Sequence, residues 1–234
     1  MSSFVAAVLG ASGNVGGGVI KALLAEHRCG KLLLVGRRTL PFYKDEPRIH
    51  QHVVNMDNLE AESTSLLRDA GVQACFITMG VGAPVQDGVS REYMEKVEVN
   101  LPTSFARGAK DSGCVRHVAL LSSIGANMDA KLPEWTGIVG AGPYFKGLVE
   151  NNMQEMEFES VGIFRPATLI GNTNTPRWAA AVSKSLSWML PIKYKEIHID
   201  RLGEAMVKAA VSSLDAKGPT VAIYEGNSLF EQLK

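Results

Sequence analysis

The sequence predicts an α/β fold in three layers, with a doubly wound parallel sheet between two layers of helices. Short apolar segments alternate with longer segments of helical length. The apolar segments also lack the polar alternation of strands that face water, which is typical of a sheet buried on both sides. With 234 residues and 46% hydrophobic residues, the chain can form one such unit.

The elements of the main core are predicted over residues 1–171. Six strands are expected at 4–9, 31–35, 49–54, 74–78, 117–121 and 161–164. Four helices are expected between them at 14–26, 59–70, 91–111 and 145–158. Since each strand is separated from the next by a crossover of helical length, the strands are expected to run parallel.

Residues 172–234 are predicted to form a short substrate-side appendage that completes the same domain. We expect a helix at 176–190, a strand at 196–199, a helix with Asp200 as its N-cap, and a strand at 220–225. In the first of these helices, Trp178, Trp188 and Met189 are candidates for an apolar acceptor pocket. Core or dimer contacts are the alternative for these three side chains.

Charge and cysteine content exclude several classes of partner. The chain has 24 basic and 24 acidic residues, so no overall field attracts nucleic acid or a membrane. Its three cysteines are far apart, which argues against disulfides and indicates a reducing compartment.

No metal site is expected, because His50 and His52 lack a convincing third ligand. The first residues lack the features of a signal peptide, so a cytoplasmic location is expected.

A glycine-rich loop, GASGNVG at residues 10–16, follows the first predicted strand and precedes the first predicted helix. Glycines in this position allow a sharp turn and let backbone amides approach a pyrophosphate at the helix N-terminus. This arrangement predicts a Rossmann-type dinucleotide site, and a tight turn without a ligand is the alternative. The cofactor-binding candidates in the loop are Gly10, Ser12, Gly13, Asn14, Val15 and Gly16.

The end of the second predicted strand favours NADP(H) over NAD(H). Arg37 and Arg38 stand where NAD-binding proteins carry a carboxylate for the ribose hydroxyls. Guanidinium groups there can bind a 2′-phosphate, although a solvated surface pair is the alternative. Asp57 is a candidate for the adenine amino group, and Met79 and Gly80 are expected to flank the adenosine.

Three further segments carry a resemblance to a known family. Together with the loop at 10–16, Leu121-Ser122-Ser123, Lys146-Gly147 and Phe164-Arg165-Pro166 resemble the atypical short-chain dehydrogenase/reductase superfamily, in particular its Tat-interacting-protein branch. The resemblance implies a sheet of order 3-2-1-4-5-6-7, NADPH binding, and hydride transfer involving an electron-poor acceptor. It also implies that the backbone at Arg165 and Pro166 contacts the nicotinamide carboxamide.

The resemblance implies a serine, a tyrosine and a lysine as catalytic residues. Ser123 or its neighbour Ser122 matches the serine, and Lys146 matches the lysine that binds ribose. The tyrosine belongs four residues before the lysine, but Tyr144 lies only two residues before it. Two residues correspond to about 200° of helix rotation, so a regular helix separates the two side chains. A packing or interface role is the alternative for Tyr144.

Two functions remain open at the level of the sequence. The first is an NADPH-dependent oxidoreductase that reduces a small carbonyl, quinone or flavin-like acceptor. The second is a non-catalytic NADPH-binding regulator or redox sensor, which the broken tyrosine-lysine spacing favours. A small-molecule acceptor is the expected partner, and a homodimer or a protein partner is left open.

Overall fold

The computed structural model describes residues 3–81, 89–130, 141–171, 195–216 and 218–233. A seven-stranded parallel sheet forms the centre, in the order β3-β2-β1-β4-β5-β6-β9. Its strands are β1 (Phe4–Leu9), β2 (Cys29–Gly36), β3 (Ile49–Val53), β4 (Ala74–Ile77), β5 (His117–Leu121), β6 (Ser160–Arg165) and, after two short strands outside the sheet, β9 (Thr220–Glu225). This sheet confirms the predicted fold class, and β9 fills the seventh place of the expected order.

Helices cover both faces of the sheet. They are α1 (Asn14–Ala25), α2 (Leu59–Ala70), α3 (Arg91–Glu95), α4 (Leu101–Ser112), α5 (Ala141–Glu155), α6 (Ile199–Asp215) and α7 (Asn227–Glu231). One apolar cluster joins α1 and α6 to one face of the sheet. A second cluster joins α2, α4 and α5 to the opposite face. The two clusters give the predicted three layers.

The structure adds a small sheet, of which the sequence predicted one strand, at 196–199, and missed the other. The strands β7 (Thr168–Ile170) and β8 (Glu196–His198) pair in parallel outside the main sheet. The strand β7 contains only three residues, which is too few for a periodic pattern to identify it. The predicted helix at 176–190, with Trp178, Trp188 and Met189, lies outside the described residues. The proposed boundary at residue 171 stays a prediction.

The predicted helix at 91–111 is interrupted by a π-helical turn, Lys96–Asn100, between α3 and α4. Pro102 explains the interruption. A continuous α-helix would need the amide of residue 102 to donate to the carbonyl of residue 98, and proline has no amide hydrogen and collides there. The chain widens instead, and the Leu101 amide donates to the carbonyl of Lys96, five residues back.

The prediction that Asp200 is the N-cap of α6 is wrong by two residues. His198 is the N-cap, and its ring nitrogen Nδ1 accepts a hydrogen bond from the Asp200 amide at 3.2 Å. Asp200 lies in the first turn, where its carboxylate interacts favourably with the positive end of the helix dipole and pairs with Lys21 of α1 at 2.5 Å. The two helices approach closely, because Gly203 has no Cβ to collide with the backbone of Gly18.

None of the helices in the described ranges is both long and apolar enough to cross a membrane. The same ranges hold no group of three or more His, Cys, Asp or Glu residues arranged for a metal ion.

Candidate functional site

A cleft of about 500 Å³ opens at the carboxyl ends of β1, β2 and β4. In open parallel sheets this edge is where ligands bind. The cleft is lined by Gly10, Ser12, Gly13, Arg37, Arg38, Asp57, Met79 and Gly80, among other residues. Most of the predicted cofactor contacts therefore face one cavity, although their roles stay predictions.

The glycine loop is shaped by close backbone approaches. Gly10 has φ +95°, and a Cβ there would lie 2.8 Å from the backbone nitrogen of Met79. A Cβ on Gly16 would collide with the Gly10 carbonyl. The N-cap of α1 is Gly13, so no capping side chain occupies the first amides of the helix, and its first turn has no acidic residue. The loop therefore leaves space and backbone donors for an anion such as a pyrophosphate.

Two other loop residues have different environments. Asn14 begins α1 and is half-buried, whereas Val15 is buried in the apolar cluster beneath the loop. Val15 therefore contributes packing, and any contact between it and a cofactor is limited to its backbone.

The two arginines that follow β2 are exposed on the cleft wall. The loop that carries them is fixed by Gln51 of β3. Its side-chain oxygen accepts from the Leu40 amide at 2.6 Å, and its side-chain nitrogen donates to the Leu40 carbonyl at 3.0 Å. Because these hydrogen bonds already order the loop, Arg37 and Arg38 could bind a phosphate without the entropic cost of ordering it.

Asp57 also lines the cleft and forms an ion pair with Lys96. Lys96 Nζ donates to Asp57 Oδ1 at 2.8 Å, and this hydrogen bond lowers the pKa of the carboxyl below its ordinary value. Both residues line the cleft. A contact between Asp57 and adenine stays a prediction, and it would have to compete with this ion pair.

The two candidate serines after β5 have different surroundings. Ser122 is buried, and its hydroxyl donates to the buried carboxylate of Glu150. Ser123 is half-buried and belongs to the loop that follows the strand. Ser122 is therefore part of a structural network, which leaves Ser123 as the better candidate for contact with a substrate.

Arg165 belongs to the same network as Ser122. Its guanidinium binds Glu150 through two hydrogen bonds, of 2.9 and 2.5 Å, and reaches Glu225 at 3.3 Å. The hydrogen bond with Glu150 is the main cause that raises the pKa of Arg165 above its ordinary value. The Pro166 carbonyl accepts from the Ile124 amide at 3.0 Å. The Arg165 side chain and the Pro166 carbonyl therefore hold the strand ends together, and the predicted nicotinamide contact stays untested.

The structure does not bring Tyr144 and Lys146 together on one face of α5. The helix begins at Ala141, so Tyr144 already lies within it. Tyr144 packs on the small cluster of Met94, Val99 and Phe145, with its ring 5.6 Å from that of Phe145. The geometry therefore agrees with the packing alternative for Tyr144.

Lys146 instead contacts a carboxylate that the sequence analysis missed. Its Nζ lies 2.8 Å from Glu98 Oε2 and donates to the Leu121 carbonyl at 3.2 Å. Glu98 lies in the π-helical turn and is 4% exposed. Pro102 within a predicted helix was the available signal, since it marks where the helix must deviate.

Comparisons with known proteins agree with the fold. No family model matches the sequence. Protein HTATIP2 of Rattus norvegicus is 28% identical over 188 residues, which are 79% of this chain and 70% of that protein. The mitochondrial protein FMP52 of Candida glabrata is 27% identical over 172 residues, which are 74% of this chain and 66% of that protein. The match thus spans about two thirds of the length of these relatives.

Several FMP52 relatives are named mitochondrial, including those of Eremothecium gossypii and Saccharomyces cerevisiae. These names contradict the expected cytoplasmic location. That expectation rests on the lack of a signal peptide, and a signal peptide reports only on secretion.

Among solved structures, a short chain dehydrogenase from Burkholderia cenocepacia in complex with NADP superimposes with a TM-score of 0.64. It is 17% identical, and the alignment covers 98% of this chain and 91% of that one. The enzyme WbmH of Bordetella bronchiseptica, in complex with NAD+, gives a TM-score of 0.65 at 13% identity, covering 95% of this chain and 76% of that one. The chain is therefore similar in sequence to HTATIP2 and the FMP52 proteins, and it shares its fold with a short chain dehydrogenase solved with NADP.

Proposed function

We propose that the protein is an NADPH-dependent oxidoreductase that transfers hydride to a small carbonyl, quinone or flavin-like acceptor. The observation that carries this proposal is the cleft itself. It combines the glycine loop at the N-terminus of α1 with Arg37 and Arg38, at the edge of a parallel sheet. The solved structures with this fold include complexes with NADP and NAD, which supports a nicotinamide cofactor.

The residues present fit such a cofactor. Gly10 and Gly16 keep the loop tight, because a Cβ at either position would collide with backbone atoms, and the uncapped first amides of α1 could hold a pyrophosphate in the adjoining cleft. Arg37 and Arg38 would bind the 2′-phosphate, and Lys146 would hold the nicotinamide ribose at the end of β5. When bound, NADPH supplies the hydride.

The protein's own contribution would be orientation of the acceptor. Ser123 stands near the end of β5, where its hydroxyl can donate to an acceptor oxygen. Because Tyr144 packs on the cluster of Met94, Val99 and Phe145, the proton would have to come from solvent. Acceptors whose reduced form takes its proton from water, such as quinones, are therefore favoured.

The position of Tyr144 also favours a second candidate, a non-catalytic NADPH-binding regulator. Oxidation of NADPH measured against a panel of quinones and aldehydes separates the two functions. The oxidoreductase is expected to turn over a quinone, to lose activity on Ser123→Ala, and to keep it on Tyr144→Phe. Tight NADPH binding without turnover of any acceptor would favour the regulator instead.

A further inference from the structure

Glu98 is a buried carboxylate fixed from two sides at the wall of the cleft. Its Oε1 accepts a hydrogen bond from the Val81 amide at 2.5 Å, and its Oε2 lies 2.8 Å from Lys146 Nζ. A Cβ on Gly80 would lie 3.2 Å from Glu98 Oε1 and 3.5 Å from Lys146 Nζ. Since Gly80 lines the cleft, the ion pair stands directly behind the cleft wall.

The position of Glu98 depends on the π-helical turn. Pro102 prevents the regular hydrogen bond to the carbonyl of residue 98, and the Leu101 amide donates to the Lys96 carbonyl instead. The widened turn places Glu98 against the loop after β4, beside Val81. Turns of this kind occur frequently at functional sites.

Burial of this ion pair is costly, because both charged groups lose water. The side chain of Glu98 is 5% exposed and that of Lys146 is 13% exposed. A lysine ammonium has three N–H donors. One of them donates to the Leu121 carbonyl, and the ion pair with Glu98 holds the ammonium from a second side, so the two contacts together fix its position.

We propose that Glu98 is a positioning residue whose ion pair holds the Lys146 ammonium where it can donate an N–H to the cofactor. The inference rests on the proposed function, because it requires NADPH in the cleft. It goes further by assigning a role to a residue outside the motifs of the family resemblance.

The test compares NADPH dissociation constants of the wild-type protein, Glu98→Gln, and the double variant Glu98→Gln/Lys146→Met. Glutamine keeps an oxygen for the Val81 amide and removes only the charge. We expect Glu98→Gln to weaken NADPH binding about tenfold, a difference of about 1.4 kcal/mol. The double variant is expected to bind within about twofold of the single variant, since Lys146 contributes little once the ion pair no longer holds its ammonium in place.

The controls separate positioning from a general structural role. Glu92→Gln removes an exposed carboxylate of α3 and is expected to leave the affinity unchanged. Glu98→Gln/Lys146→Met leaves no unpaired buried charge, so it is expected to fold. A wild-type affinity for Glu98→Gln, or a double variant that binds much more weakly than the single one, would overturn the inference alone. A wild-type protein that does not bind NADPH would overturn the proposed function as well.

Discussion

At the scale of single residues, neighbouring side chains with the same chemistry have different tasks. Ser122 and Ser123 are adjacent, yet only Ser122 contacts the buried carboxylate of Glu150. Successive side chains at the end of a strand point in opposite directions, so the two serines are expected to have different surroundings. The sequence alone could not show which of them is the buried one. Glu98 is a similar case, since its pairing with Lys146 joins residues that are far apart in the chain.

The two serines give a matched pair of variants. Ser122→Ala removes a hydrogen bond to a buried carboxylate, so we expect it to lower the free energy of unfolding by about 1–3 kcal/mol. Ser123→Ala is expected to change it by no more than about 0.5 kcal/mol. Urea denaturation of both variants measures the difference. Equal losses of stability would show that the described network does not hold Ser122.

At the scale of elements, the glycine loop and the buried strands were predictable because both depend on local sequence. A strand of a parallel sheet gives a continuous apolar run, and strands β5 and β9 match their predicted bounds. The π-helical turn was not anticipated, although Pro102 marks it. The N-cap of α6 was misplaced because a histidine ring can accept the hydrogen bond that aspartate usually accepts.

Two adjacent glycines test the packing of the loop. Gly16→Ala places a Cβ against the Gly10 carbonyl, so we expect it to destabilise the protein and to weaken NADPH binding. Gly17→Ala meets no atom within 4 Å and lies in α1, so it is expected to stabilise the protein by about 0.4–1 kcal/mol. Thermal denaturation with and without NADPH measures both effects. Loss of stability in Gly17→Ala would contradict the open space beside Gly17.

At the scale of the whole molecule, the last part of the chain joins the same core as the first. The segment from α6 to β9 adds a helix beside α1 and the seventh strand of the sheet. This order follows the family resemblance, whereas composition and periodicity predict only the number and type of elements. Neither source predicts the buried ion pairs, because these depend on contacts between distant elements.

The stability of the whole sheet is expected to depend on pH through His117 at the start of β5. Burial lowers the pKa of His117 to about 3, while its Nδ1 lies 3.0 Å from the Ser160 hydroxyl. In the unfolded chain the imidazole of His117 is protonated below about pH 6.5, whereas in the folded protein it stays neutral down to about pH 3. The free energy of unfolding therefore falls as the pH falls through this window.

His117→Asn removes the titrating group and keeps a polar partner for Ser160. Between pH 6.5 and 4.5, the wild-type protein is expected to lose about 2 kcal/mol more of its unfolding free energy than this variant. Urea denaturation at the two pH values provides the measurement, and the carboxylates common to both proteins cancel in the comparison. Parallel losses would contradict a neutral, buried His117.

The central claim is that the cleft at the glycine loop binds a nicotinamide cofactor and selects NADPH through Arg37 and Arg38. Calorimetric titration of the wild-type protein and of Arg37→Ala/Arg38→Ala with NADPH and NADH tests it most directly. Because hydrogen bonds to charged groups contribute about 1.5–3 kcal/mol, the wild-type protein is expected to bind NADPH at least about tenfold more tightly than NADH. The double variant is expected to lose this preference and keep its affinity for NADH. Equal affinities in the wild-type protein, or no binding of either cofactor, would contradict the claim.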